Sequence, residues 1–240
     1  MSKTLKVVSW NVNYPRFAKD NSYVIQTLES LSQPDVICLQ EYVQGKDADA
    51  IEWFERNSYD MAYLPFAHNL DGLSQGVMTA NKKTLHAQVD PVVLREDVPR
   101  RFRPFPNIRG LLSAQIKIGD HLVTIANFHS TYPRPHVMDM RKREFAELMK
   151  FLVAKDAQHP WLLCGDFNFF GRDSRKKLLK HRYKSFTGNI IQPTWRHHNR
   201  LSPVRLNLDY FFWNGLSVKA KLAPFSNSDH RPLTATVSLN

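Results

Sequence analysis

The sequence predicts an α/β domain made of mixed β-sheets with helices packed outside them. Three observations predict it. Short strand-like runs recur along the whole 240-residue chain, stretches of helical periodicity lie between them, and a hairpin interrupts the alternation. Alternation alone would favour a parallel sheet, but a hairpin demands an antiparallel pair, so mixed sheets follow. No repeat, low-complexity tract or Gly/Ser linker divides residues 1–240, which read as one domain.

The strand-like runs fall at residues 5–10, 36–40, 76–80, 111–118, 121–128, 161–164, 206–212 and 233–239. Gly119-Asp120 supplies the turn between the fourth and fifth of them. Helical patterns cover residues 21–31, behind an Asp20 or Asn21 cap, a shorter 49–56, and 137–153. In the last, Phe145, Leu148, Met149 and Leu152 repeat at the spacing of one helix face. Arg141 lies on that same face one turn earlier. It either snorkels at the helix end or turns inward to contact a phosphate.

A hydrophobic content of 42%, with five Trp and fifteen Phe, is enough to fill a substantial core. No apolar run reaches the ~18 residues of a membrane span, and the first residues lack the apolar stretch of a signal peptide. Cys38 and Cys164 both sit in apolar runs and read as small core residues. A soluble, cytoplasmic monomer is therefore expected. The net charge of +11 and pI ≈ 9.7 favour polyanionic partners, either nucleic acid or an anionic membrane surface.

Chemistry-bearing side chains collect where apolar runs end. Val7-Val8-Ser9-Trp10 runs into Asn11, Val36-Ile37-Cys38-Leu39-Gln40 into Glu41, and Ile125-Ala126-Asn127-Phe128 into His129. Leu162-Leu163-Cys164-Gly165 leads to Asp166 and Asn168, which strand geometry places on one face. Asp209 lies in Asn207-Leu208-Asp209-Tyr210, within the run at 206–212, and Ser228-Asp229-His230 follows later. Singly, each has a plain structural reading. Asp166 is a turn residue, Glu41 a surface carboxylate, and His129 a core or rim histidine. Together, at strand ends, they form a set that phosphodiester hydrolysis would need. Glu41 leads as ligand to a hard cation that keeps several waters, with Asp229 assisting directly or through water. Asp166 and His230 are candidates to activate or orient the attacking water. Asp209 would fix the His230 tautomer, while Asn11, Asn168 and His129 would donate to phosphate oxygens.

The ordered set Trp10-Asn11, Leu39-Gln40-Glu41, Gly165-Asp166-Phe167-Asn168, Leu208-Asp209-Tyr210 and Ser228-Asp229-His230 resembles the endonuclease/exonuclease/phosphatase (deoxyribonuclease I-like) superfamily. The resemblance spans residues 7–237. It implies a four-layered α/β sandwich, two mixed sheets face to face with helices outside. It also implies Mg²⁺ or Mn²⁺ and one-step hydrolysis without a covalent intermediate. By motif, Asn11 and Glu41 match the metal-proximal pair, and Asp166 and Asn168 the pair facing nucleophile and phosphate. Asp209 matches the partner of the motif histidine, and Asp229 and His230 the closing Asp-His. His129 stands where several branches carry an active-site histidine. Apurinic endonucleases carry a tyrosine in that strand, a departure that weighs against apurinic-site cleavage.

Substrate choice falls to the loops. Arg100, Arg101 and Arg103, interleaved with Phe102 and Phe105, form one basic and aromatic segment, and residues 172–184 hold a second basic cluster. Trp195 sits in a segment similar to the aromatic-bearing loop of apurinic endonucleases. Arg141 with Glu144 and Phe145 resembles the start of a helix in tyrosyl-DNA phosphodiesterases, a feature shared with sphingomyelinase-like enzymes. Cationic groups beside stackable rings suit distorted or single-stranded nucleic acid. A nuclease or repair-type phosphodiesterase is therefore the first reading, with DNA favoured over RNA. A lipid or inositol phosphate esterase is the alternative, disfavoured by the lack of an exposed apolar insertion. An inactive nucleic-acid-binding module comes last, because every motif position keeps the residue type catalysis needs.

Overall fold

The computed structural model describes residues 4–68, 73–97, 107–134, 137–169, 183–189, 191–196 and 204–240. Its first half forms β1 (Thr4–Asn11), α1 (Tyr14–Phe17), α2 (Ser22–Ser30), β2 (Val36–Gln44), α3 (Ala48–Arg56), β3 (Tyr59–His68) and β4 (Ser74–Lys82). There follow β5 (Gln88–Asp97), β6 (Asn107–Ile118), β7 (His121–His129), α4 (Met138–Asp156) and β8 (Trp161–Asp166). The chain ends with β9 (Lys184–Phe186), β10 (Trp195–Arg196), β11 (Arg205–Leu206), β12 (Asp209–Asn214), β13 (Leu216–Leu222) and β14 (Leu233–Leu239).

Two six-stranded sheets result, in the orders β13-β14-β1-β2-β4-β3 and β5-β6-β7-β8-β12-β9, and β10-β11 make a separate ribbon. Each large sheet has one parallel pair at its centre, β1–β2 and β7–β8, flanked by antiparallel strands. Strand alternation sorts the side chains into layers. Val7, Cys38, Ile125, Leu162 and Phe211 point between the sheets. Val8, Trp10, Ile37 and Leu39 face outward into a core with α2 and α3, through Val24, Leu28, Trp53 and Phe54. On the other side Phe128, Leu163 and Phe212 pack against Phe145, Leu148 and Leu152 of α4. This is the four-layered sandwich expected. No helix among the described residues is long and apolar enough to cross a membrane.

The predicted runs form strands, with one correction. Residues 206–212 do not make a single strand, because Leu208 and Asp209 direct their backbone N–H groups to the Thr194 hydroxyl at 2.9 and 3.1 Å. The strands that sequence patterning missed include β3, β5 and β13, each at a sheet edge. Pro65 and Pro91 blur the first two, and edges tolerate proline because one side of the strand needs no donor. Alternating lysines mark the third, which is how exposed edges avoid further pairing.

At the β7–β8 junction Gly165 has φ +140°, and a Cβ there would lie 1.7 Å from the Phe128 carbonyl oxygen. Gly165→Ala is expected to cost at least the roughly 1–3 kcal/mol of such backbone strain, with the steric overlap added. A denaturant midpoint equal to that of the parent would refute this.

Candidate active site

The faces that build the dry core between the sheets turn polar as they reach one end of the molecule. Val7, Ser9 and Asn11 follow one another along the inner face of β1, as do Ile125, Asn127 and His129 on β7 and Leu162, Cys164 and Asp166 on β8. His129 pairs with Asp166 across β7–β8, and Asp166 with Asp209 across β8–β12, so three titratable groups share one row. Beneath them Gln40 donates to Asn127 at 2.8 Å and Asn127 to the Met78 carbonyl at 2.8 Å, tying the sheets together. Glu41 reaches the site by a different device. It lies inside β2 at a β-bulge between Gln40 and Tyr42 with φ 58°, and the bulge turns its carboxylate out of the ladder into the cleft.

Glu41, His129, Asp166 and His230 line a cleft of ≈ 400 Å³ together with Asn13, Tyr14, Gln75, Arg109, Ser130, Tyr132, Arg134, Asn168, Trp195 and Asp229. Asn11 donates from its amide nitrogen to Glu41 Oε1 at 3.2 Å and to Asp166 Oδ2 at 3.0 Å. Both amide hydrogens are thus engaged. Asn11 clamps two carboxylates here, where sequence reasoning placed a phosphate donor. Glu41 Oε2 accepts from the Tyr14 N–H at 3.0 Å. Asn168, at φ 48°, donates its own N–H to Asp166 Oδ1 at 2.9 Å and one amide hydrogen to the Ser130 carbonyl at 3.1 Å, leaving its second amide hydrogen for a substrate.

His230 Nδ1 lies 2.9 Å from Asp209 Oδ2, and its Nε2 is 3.9 Å from Asp166 Oδ2. Burial pushes the imidazole down, but the Asp209 carboxylate outweighs it, with Asp166 and Asp229 adding to the effect, and the pKa rises to about 10. Burial likewise drives Asp166 up, helped by Asp209 and opposed by His230, to about 7. His129 goes the other way. Burial, Arg109 and His230 hold it well below the usual imidazole range, so it is neutral. Its buried Nδ1 has no hydrogen-bond partner among the described residues, while Nε2 faces Asp166 at 3.7 Å and Glu41 at 3.9 Å. A bare buried lone pair costs less than a bare N–H, which assigns the proton to Nε2, the nitrogen on the carboxylate side.

Asp229 is held by Asn13 at 2.6 Å and by the Trp195 indole at 2.9 Å. The Trp195 and His230 rings sit 6.5 Å apart across an isolated β-bridge. Arg141 is buried, but not as a phosphate ligand. Its guanidinium donates to Ser130 Oγ at 2.9 Å, to the Thr131 carbonyl, and to the Phe167 and Asn168 carbonyls at 2.8 Å. Arg141 braces the loops that follow β7 and β8, and Glu144 completes the brace by accepting from Thr131. Arg141→Met is expected to cost at least the roughly 1–3 kcal/mol of a buried acceptor left unmet, read as a lower urea midpoint. Arg100, Arg101, Arg103, the basic residues 172–182, and His197 and His198 lie outside the described residues.

Sequence reasoning missed several supports. Trp10 donates to the His230 carbonyl at 3.1 Å, and Ser228 donates to the Asn11 carbonyl at 2.8 Å while accepting from the His230 N–H at 3.1 Å. Asn13 takes φ 62°, and the Asn-x-Asn spacing of Asn11 and Asn13 was the one signal it left.

A profile of the Endonuclease/Exonuclease/phosphatase family matches residues 8–230, from the middle of β1 to His230. The chain belongs to that family. It is accordingly a metal-dependent phosphoester hydrolase. Among solved structures, an endonuclease/exonuclease/phosphatase from Bacteroides vulgatus is similar at 14% identity and TM-score 0.73, covering 99% of each chain. The human Nocturnin catalytic domain, solved with a bound sulfate anion, is 17% identical with TM-score 0.70, covering 100% of this chain and 96% of its own. ANGEL2, a 2',3'-cyclic phosphatase in complex with adenosine-2',3'-vanadate, is 19% identical with TM-score 0.71, covering 98% of this chain and 96% of its own. No curated protein sequence matches the chain. The donor set fits the divalent ion that the family uses. Glu41 presents carboxylate oxygens to the cleft, with the carboxylates of Asp166 and Asp229 on the same lining, and hard oxygen donors suit hard cations. Asp166, Asp209 and His230 also bring ligand atoms within 4.8 Å of one another, although the His230–Asp209 hydrogen bond already engages two of them.

Proposed function

We propose that this enzyme is a nucleic-acid phosphodiesterase that hydrolyses its substrate in one step by water attack at phosphorus, with Mg²⁺ or Mn²⁺ held at Glu41. One observation carries the reading. The Asp166–His230–Asp209 constellation opens on a cleft whose lining combines Trp195 and Tyr132 with Arg109 and Arg134. Rings beside guanidinium groups suit a phosphate that carries an aromatic base. The bound adenosine derivative of ANGEL2 supports the same substrate class.

Glu41, positioned by Asn11 and the Tyr14 N–H, would hold the metal as its principal ligand, with Asp229, on the lining of the same cleft, assisting. When bound, the ion supplies positive charge against the phosphoryl oxygens. Asp166, with Oδ2 facing both imidazoles, orients the attacking water. His230, held by Asp209 and charged, donates from Nε2 to a phosphoryl oxygen as negative charge develops. The free amide hydrogen of Asn168 and the Nε2–H of His129 complete the donor set.

The test is a screen of Mg²⁺-dependent turnover on single- and double-stranded DNA, RNA, sphingomyelin and inositol phosphates. Cleavage of DNA above the others is the expected result. Turnover of sphingomyelin or an inositol phosphate alone would overturn the nucleic-acid reading while leaving the catalytic groups in place.

A further inference from the structure

The β-bridge between Trp195 and His230 has two sides. Successive residues of extended chain point to opposite faces, so Trp195 and His230 meet on the cleft side while Arg196 and Arg231 project from the other. There both guanidinium groups lie against the Phe225 ring, Arg196 at 4.1 Å and Arg231 at 5.2 Å from its centre. The backbone locks them in place. Arg196 N–H donates to the Asp229 carbonyl at 3.0 Å and Arg231 N–H to the Thr194 carbonyl at 2.7 Å.

Two like charges on one ring need a reason. Among the described residues no carboxylate pairs with either arginine. Arg231 Nε donates to the Ala223 carbonyl at 2.7 Å, but the terminal nitrogens of Arg231 and the whole Arg196 guanidinium meet no protein acceptor there. A planar ring orients both forks outward at little entropic cost, and such forks match the oxygens of a phosphate.

We propose that Arg196 and Arg231, stacked on Phe225, form a second phosphate-binding site on the outer side of the catalytic loop, which grips a phosphodiester of the nucleic-acid strand away from the scissile one. This rests on the nucleic-acid reading above. The site adds strand length to what the enzyme recognises, because a mononucleotide held in the cleft presents no second phosphate to it.

The experiment measures binding of a fluorescent single-stranded oligonucleotide by anisotropy, in EDTA so that nothing is cleaved, across a salt titration. The wild-type enzyme is compared with Arg196→Gln, Arg231→Gln and the double variant, with unfolding midpoints taken alongside. Lys150→Gln, which removes an exposed charge from α4, controls for net charge alone. The double variant is expected to bind on the order of tenfold more weakly, the lower range for charge-assisted hydrogen bonds. Its slope of log K against log salt is expected to fall by about 0.7, one phosphate contact on a single strand. Arg196→Lys should restore part of the slope, and Lys150→Gln should leave it unchanged. An unchanged slope in the double variant overturns the site, as does a wild-type enzyme that does not bind the oligonucleotide. Loss confined to phosphatidylserine vesicles overturns it in favour of a lipid surface. A reduced slope in an enzyme that cleaves no nucleic acid keeps the site and refutes the substrate reading instead.

Discussion

Replacing His230 with alanine is expected to lower kcat on a small phosphodiester by roughly 10²–10⁴-fold, the range for a lost proton-transfer or donor group. The imidazole is held at both ends of its environment. Asp209 takes Nδ1 at 2.9 Å, and Trp10 and Ser228 fix the backbone on either side of the residue's peptide unit. Asp209→Asn should cost less than His230→Ala, because it disturbs orientation and charge without removing the ring. The double variant is the sharper measurement. Both changes disable one unit, so the combined loss should barely exceed that of His230→Ala alone. If the two losses multiply, the residues act separately and the 2.9 Å contact has no catalytic meaning.

Removing the Glu41 charge is the second large effect. Glu41→Gln should lower activity at limiting Mg²⁺ by more than the roughly 10–100-fold typical of losing a partner that merely supports a metal ligand. The fold should survive, since the Glu41 side chain lies at the cleft and an amide can still accept from the Tyr14 N–H. Excess Mn²⁺, which binds mixed donors more tightly than Mg²⁺, is expected to restore part of the rate. Metal titrations of activity, together with calorimetric binding of the ion, check both points. A variant with the parent's metal dependence would move the ion elsewhere. The alternative position is the Asp166–Asp209–His230 group.

What the sequence determined by itself was the set of strand-end groups. Asn11, His129, Asp166 and Asp209 were legible because strand alternation is local: each continues an inward apolar face that the neighbouring residues already declare. Mixed sheets with helices outside followed from the same runs, apart from edge strands in which proline or lysine dilutes the pattern, while the four-layered sandwich was implied by the family resemblance. Tertiary structure decided the partners. Asn11 reaches Asp166 across 155 positions and Trp10 reaches His230 across 220, and no periodicity carries information over such distances. The bulge that aims Glu41 depends on how β2 pairs with β4, a register that exists only once both strands are in place. Arg141 shows the division within one residue. Its position on the apolar face of α4 was readable, but its role was not, because that role lies in carbonyls after β7 and β8 that only the packed sheet presents to it. Arg196 and Arg231 are 35 residues apart and read as ordinary surface charge until the Trp195–His230 bridge sets them on one ring. Local chemistry is written along the chain. Which groups meet is decided by long-range pairing, whose entropic cost is met by the apolar core the strands bury together.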